Sequence, residues 1–346
     1  MKLGLDLPAY WPDMRVPIER LLPELSEAAR RGEEVGFDSL VLAEHHFIDY
    51  FVMPAPLVLA AHLAAVTKRA RIITSIIAIP FHDVRVLAGE IAVADHLTQG
   101  RLEIGFGSGA NQYEFDRMGM PWDSSRIELF NEKLKALLFL FKNQDVAYDS
   151  PLIKFPALTI LPPPLQKPHP PVWVACVREE AVYHTAKRGF NVQSGSLRRS
   201  LEVTKDIVRA FRTGAAEAGA RSTQISFGQW LYVAKDDADA KRKLELAIAN
   251  HGKFINLTTT PGIVAKGEVQ ALPIKETPED MRDLVIIGTA NECVEKILAH
   301  RELGMDHLML RMHFGPAHAD IMASLDRFGE HVMPKLGLGT AASAAR

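Results

Sequence analysis

Gly36-Phe37-Asp38-Ser39-Leu40-Val41-Leu42-Ala43 is the stretch on which the fold turns. Before it, Ile18, Leu21, Leu22, Leu25, Ala28 and Ala29 recur at helical spacing. The glycine ends that helix, and the apolar run after it is too short for another, so it reads as a strand. The same unit returns along the chain. Gln99-Gly100-Arg101 leads into Leu102–Gly105, Gly189-Phe190-Asn191 into Val192–Ser194, and Gly304-Met305-Asp306 into His307–Met312. Strands are expected near 2–7, 38–44, 71–79, 101–107, 171–176, 190–195, 225–234 and 306–312, with helical patterns between them. Repeated βα units mean a parallel sheet, and about eight of them fit a closed (β/α)8 TIM barrel of the α/β class. An open doubly wound sheet is the alternative.

The clearest helix runs through Ile127, Phe130, Leu134, Leu137, Leu138 and Phe141, with Ser125 and Glu128 as a capping box. Thr289 and Glu292 make a second box. Two stretches break the rhythm and predict long loop insertions. Residues 146–171 hold 8 of the 21 prolines, which excludes a continuous helix there. Residues 251–283 lack clear periodicity. Long unpatterned segments inside a compact domain are expected to be lids, and both are the available covers for a site. Residues 1–336 read as one barrel domain and 337–346, small and polar, as a disordered tail.

Composition narrows the function. Among 346 residues, 40 basic side chains face 42 acidic ones, a net charge of −2 that gives no footprint for nucleic acid or an anionic membrane. Two cysteines, Cys176 and Cys293, exclude a disulfide framework and a multi-cysteine metal site. The N-terminus lacks a cationic region followed by an apolar signal core, so a reduced cytoplasm is the expected location.

In such a barrel ligands bind at the carboxyl ends of the strands. Those ends supply the candidate residues: Glu44-His45-His46 on the second strand, Ser75 and Ile76 on the third, Gly107, Ser108 and then Asn111 after the fourth, Cys176-Val177-Arg178 after the fifth, and Ser194-Gly195 after the sixth. His45 and His46 are adjacent on a strand and point to opposite faces, so a shared metal ion is set aside. An imidazole there is either structural or a base working near physiological pH. Gly105-Phe106-Gly107-Ser108-Gly109-Ala110 matches a dinucleotide-binding pattern, but it sits mid-chain and no helix starts within it. Its glycines either admit a flat ligand or allow close packing inside the barrel. Arg178, before the helical pattern Glu179–Lys187, would help backbone amides hold a phosphate, although Glu179 and Glu180 oppose it.

These residues also carry a resemblance. Gly36 to Phe47, then Ile79-Pro80, Arg85, Ala88-Gly89-Glu90 and Asp95 to Gly107, are similar to the signature blocks of the bacterial luciferase-like flavin monooxygenases. Gly119, Gly288-Thr289 with Glu292, and Met333-Pro334 extend the likeness over essentially the whole chain. The resemblance implies reduced FMN supplied by a separate flavin reductase, dioxygen adding to it as a flavin peroxide, and oxygenation of a small organic substrate. It implies that His45 is the base that stabilises the peroxide and that Ser75-Ile76 is a non-proline cis peptide beside the isoalloxazine.

The chain departs from the family at two positions. The luciferase arginine that binds phosphate is replaced by Ser108, and a flavin-proximal cysteine by Gly107. The phosphate charge then falls to Arg178, an assignment made here and not a family residue. The rival readings are an oxidoreductase using the deazaflavin F420 on the same barrel and a non-catalytic flavin-binding protein. Phe47, Phe51, Phe81 and Phe106 point to an apolar or aromatic substrate or to ordinary core. Pro56–Val66, apolar on all sides, is expected to be covered by a second subunit, as in a homodimer, or by the chain's own loops.

Overall fold

The computed structural model describes residues 1–195, 200–219 and 222–338. Eight parallel strands, β1 Lys2–Asp6, β2 Ser39–Leu42, β3 Arg71–Thr74, β4 Leu102–Gly107, β5 Val172–Ala175, β6 Asn191–Gly195, β7 Ile225–Val233 and β8 His307–Arg311, pair in chain order. The sheet closes because β7 pairs with both β6 and β8, which removes the open-sheet alternative. The helices α1 Leu21–Val35, α2 Pro56–Val66, α3 Val84–Leu97, α4 Gln112–Arg117, α5 Ser125–Lys142, α6 Glu179–Lys187, α7 Leu201–Glu217, α8 Asp237–Thr259, α9 Pro278–Leu284, α10 Ala290–Glu302 and α11 His318–Arg327 accompany them.

The repeated glycine units have a physical cause. Gly36 closes α1 at φ 108°, a left-handed conformation suited to glycine. Two residues on, the acid or amide caps a neighbouring strand. Asp38 accepts from Leu3 N at 2.8 Å, Asn191 from Gln224 N at 2.9 Å and Asp306 from Ile225 N at 2.9 Å. Each satisfies a backbone N–H where the ladder begins.

Side chains of alternate residues fill the barrel interior. At its amino end Glu103 pairs with Arg71 and accepts from Trp173 Nε1 at 2.7 Å, while buried Ser39 and His307 are hydrogen-bonded at 2.9 Å. Val41, Ile73, Trp173 and Met309 form the layer above. The glycines of β4 serve packing. A Cβ on Gly105 would lie 2.1 Å from the Thr74 carbonyl oxygen and 2.4 Å from Gln193 Oε1, and one on Gly107 would meet the Ile76 side chain at 2.8 Å.

Several expectations are corrected. The third strand breaks after Thr74 and resumes as Ile77–Ala78 against β4, with a cis Ser75–Ile76 bond in the gap. The Thr289–Glu292 capping box forms, but the Ser125–Glu128 box does not, because α5 starts at Ser125 and Asp123 accepts that residue's N–H. Residues 146–171 contain an antiparallel hairpin, Val146–Asp149 with Lys154–Leu158. They are not a cover for the mouth: Gln166 bonds Asp95 and the Leu102 carbonyl, at the start of β4, because a segment that leads into a strand must reach its amino end. Residues 251–259 complete α8, and 264–269 form a short hairpin. Ile286–Gly288, an additional strand on the second half of β7, has no counterpart among the expected eight. Of the predicted tail, residues 339–346 lie outside the described residues.

Gly105→Ala should cost about 1–3 kcal/mol in urea unfolding, since neither the backbone carbonyl nor buried Gln193 can retreat. Gly89→Ala, in α3 with nothing within 4 Å of the added Cβ, should be neutral or stabilising.

Candidate functional site at the barrel mouth

Beyond β2 the chain continues as Ala43-Glu44-His45-His46, and successive side chains diverge as a strand requires. His45 Nδ1 lies 3.2 and 3.3 Å from the two carboxylate oxygens of Glu114. His46 turns the other way, its Nε2 2.7 Å from Glu44. The two imidazoles therefore serve different carboxylates.

Glu114 is buried in the first turn of α4 and held from three directions. It accepts from His46 N at 2.6 Å and from Asn111 Nδ2 at 2.7 Å, while its own N–H donates to Asn111 Oδ1 at 3.1 Å. A carboxylate can only accept, so Nδ1 of His45 is the donor, and in the neutral ring the lone pair is on Nε2. Phe51 stacks on the His45 ring at 4.7 Å and 16°. Arg311, paired with Asp6 at 2.7 Å, lies 4.8 Å from the centre of the same Phe51 ring.

Glu44 has no exposed side-chain surface. Burial alone would raise its carboxyl, but hydrogen bonds from His46 and His82 outweigh that and hold it down at about 2. His82 Nε2 approaches to 2.9 Å and Ala78 N donates at 3.0 Å. Glu44 and Asn111, expected to touch a cofactor, are thus committed within the protein and hold the imidazoles from behind.

The remaining candidates lie on four adjacent strands. Ser75 and Ile76 after β3, Ser108 after β4, Cys176, Val177 and Arg178 after β5 and Gly195 on β6 are half-buried or exposed and form an arc at the mouth. Gly107 is buried behind Ile76. Ser194 is buried, and its Oγ has no hydrogen-bond partner among the described residues. Val177 is 51% exposed. Burial lifts the Cys176 thiol to about 11, so this residue supplies no thiolate. Arg178 stands exposed at the start of α6 with no acid paired to it among the described residues. Of the four phenylalanines, Phe106 and Phe51 are buried and Phe81 lies against Phe115, whereas Phe47 is 51% exposed.

The expected cover 251–283 does reach the loop after β2. Lys253 of α8 forms a buried ion pair with Asp49, Asp49 accepts from Val269 N at 2.9 Å, and Tyr50 donates to Asn250 at 3.3 Å. The sequence reading missed the roles of Glu114 and of the Asp49–Lys253 pair. Asn111 with Glu114 three residues on is a helix-start signal that was open to view, but nothing local ties it to His45.

The sequence profile of the luciferase-like monooxygenase family matches residues 4–307. The flavin-dependent trigonelline monooxygenase, oxygenase component, of Acinetobacter baylyi is 29% identical over 330 residues, covering 91% of this chain and 90% of that one. The crystal structure of monooxygenase RslO1 from Streptomyces bottropensis superposes with a TM-score of 0.84 at 25% identity, covering 96% of this chain and 99% of that one. An F420-dependent secondary alcohol dehydrogenase superposes with a TM-score of 0.78 over 97% of this chain and 98% of that one; at 19% identity the likeness extends to the fold alone.

Glu44 gives this site an acid-sensitive contribution to stability. A carboxyl held at about 2, against 4.5 when free, stabilises the fold above the free value and loses that contribution as pH falls from 4.5 through 2. Glu44→Gln should be less stable than wild type by on the order of 3 kcal/mol at pH 6. In thermal melts across pH the gap should close between pH 4.5 and 2; a constant gap contradicts the linkage.

Proposed function

This chain belongs to the luciferase-like monooxygenase family, and on that premise we propose that it is the FMN-dependent oxygenase component of a two-component system. A separate flavin reductase supplies the reduced FMN, and a small apolar organic molecule is oxygenated. The observation that carries this reading is the His45–Glu114 pair: an imidazole at the carboxyl end of β2 whose Nδ1 is held by a buried carboxylate.

The residues present fit the cofactor. Val177 offers exposed apolar surface beside Cys176, and among the described residues Arg178 brings an unpaired guanidinium to the open start of α6 and Ser194 Oγ lacks a partner. Ser75, Ile76, Ser108 and Gly195 complete the assigned cradle, with Gly107 behind Ile76. Reduced FMN, when bound, supplies the two electrons with which dioxygen reacts, one oxygen atom entering the substrate and the other leaving as water. His45 Nε2 takes and returns the proton; Glu114 fixes the tautomer and the ring; Phe51 fills the space on one face. The α8 segment pinned by Lys253 to Asp49 keeps water from this corner of the mouth. No unpaired cation stands beside His45 among the described residues, since Arg311 is bound to Asp6. That favours an uncharged substrate.

Anaerobic titration separates this function from its rivals. Binding of photoreduced FMN, followed by oxygenation of an added substrate on admitting air, is expected. Reduction of F420 without oxygen, or binding with no turnover, would replace the proposal. His45→Ala should keep FMN binding and lose at least about 100-fold in coupled turnover, and Arg178→Ala should weaken FMN binding. Unchanged affinity in the latter removes Arg178 from the cradle.

A homodimer is proposed from the outer face. Val58 of α2 is 71% exposed, and Val86, Val93 and Leu97 of α3 are exposed beside it. They line an apolar groove of about 730 Å³ between the helices, and a second groove of about 840 Å³ flanks α2 on the side of α1. Surface of this kind marks a contact between proteins. In sedimentation at micromolar concentration the wild-type chain should be dimeric and Val58→Asp monomeric.

A further inference from the structure

The third strand does not run straight to the mouth, and one of the residues that redirect it comes from three strands away. Ile73 pairs with Glu103 and Ile77 with Phe106, so the three residues Thr74, Ser75 and Ile76 face only Ile104 and Gly105. One residue is in excess on the β4 side, which makes a bulge. On the β2 side the bonding continues: Ser75 N donates to the Leu42 carbonyl at 2.6 Å and Glu44 N to the Ile76 carbonyl at 3.2 Å. The Ser75–Ile76 step is therefore tied directly to the segment that carries Glu44 and His45.

A bulge takes backbone groups out of the ladder, and buried ones need other partners. Two side chains supply them. Thr74 Oγ1 accepts from Gly105 N at 2.8 Å and donates to the Gly105 carbonyl at 3.1 Å. The Thr74 carbonyl accepts from Gln193 Nε2 at 3.1 Å. Gln193 is on β6, its backbone fixed by pairing with Ala175 on one side and Ser226 on the other. A Cβ on Gly105 would lie 2.1 Å from the Thr74 oxygen and 2.4 Å from Gln193 Oε1, so the two groups meet over that glycine. Gln193 is only 3% exposed, and its Oε1 has no hydrogen-bond partner among the described residues. A half-satisfied buried amide is costly. What it brings in return is one N–H on the Thr74 carbonyl.

We propose that Gln193 is a positioning residue for the cofactor: by holding the Thr74 carbonyl it fixes the Ser75–Ile76 step at the mouth, where the flavin ring is assigned to rest. This rests on the placing of Ser75 and Ile76 in the cradle. Gln193 and Thr74 are both buried, so they act through the step and not on the flavin itself. Without the Gln193 N–H the carbonyl is left unpaired in the barrel interior, the bulge loosens, and Ser75 and Ile76 shift.

Two variants test this. Gln193→Met removes the donor at nearly constant size. Gln193→Glu makes the donor depend on pH: a buried glutamic acid stays protonated above its usual range and then donates its O–H to the carbonyl, but once ionised it can only accept. In fluorescence titration with FMN, Gln193→Met should bind about tenfold more weakly than wild type at any pH. Gln193→Glu, compared with wild type at the same pH, should bind within about threefold near pH 5.5 and lose affinity toward about pH 9. Hydrogen–deuterium exchange on the flavin-free protein should quicken at 71–78 in Gln193→Met and stay unchanged at 225–233, the neighbour of β6. Wild-type affinity in Gln193→Met, a Gln193→Glu that is as weak as Gln193→Met at low pH, or exchange that quickens on β7 and not at 71–78 would each overturn the proposal. Absence of FMN binding in the wild type would instead sink the flavin reading, and exchange at 71–78 would still decide whether Gln193 holds the step. If Gln193→Met does not fold, Gln193→Glu across pH decides alone.

Discussion

A buried carboxylate must find donors, and the mouth of this barrel is organised by two of them. Glu114 takes the backbone N–H of His46, the amide of Asn111 and the Nδ1 side of His45; Glu44 takes His46, His82 and the N–H of Ala78. Leaving either acid unpaired would cost several kcal/mol. That requirement dictates where α4 must start, where the chain after β3 must turn, and which way each imidazole faces. The orientation of His45, on which the proposed chemistry depends, is a consequence of satisfying an acid 69 residues away.

The same logic extends to α8 and the hairpin after it. Asp49 and Lys253 are both buried, and each needs the other. With the Val269 N–H on the same carboxylate, the pair joins the loop after β2 to α8 and to the short hairpin that follows it. Buried ion pairs contribute little net stability compared with an apolar contact, but they penalise every arrangement in which one partner is left alone. Here that penalty specifies one placement of α8 and its hairpin against the loop that carries His45.

Much of the fold was legible because its cause is local. Glycine at a helix end, an acid or amide two residues later and a short apolar run are all set by neighbours in the chain, and Asp38, Asn191 and Asp306 show what the recurring polar residue does. The hairpin at 146–158 and the strand Ile286–Gly288 were not legible, since each pairs through contacts that periodicity does not encode. The course of 146–171 was misread for a related reason: proline content reports that a helix is impossible, not which end of the barrel the segment passes. The glycines of β4 admitted two readings in sequence, and the Thr74 carbonyl and the Ile76 side chain decide for packing.

By itself the sequence determined the class of the fold, the order of its strands, the cluster of candidate groups at their carboxyl ends and the divergence of His45 from His46, because strand alternation and helix capping act over a few residues. Only the tertiary structure decided which acid holds which imidazole and that Asn111 and Glu44 support the site from behind. Those facts depend on burial, and burial is a property of chain segments brought together across the barrel, so a donor and its acceptor leave no mark of each other in the linear order of residues.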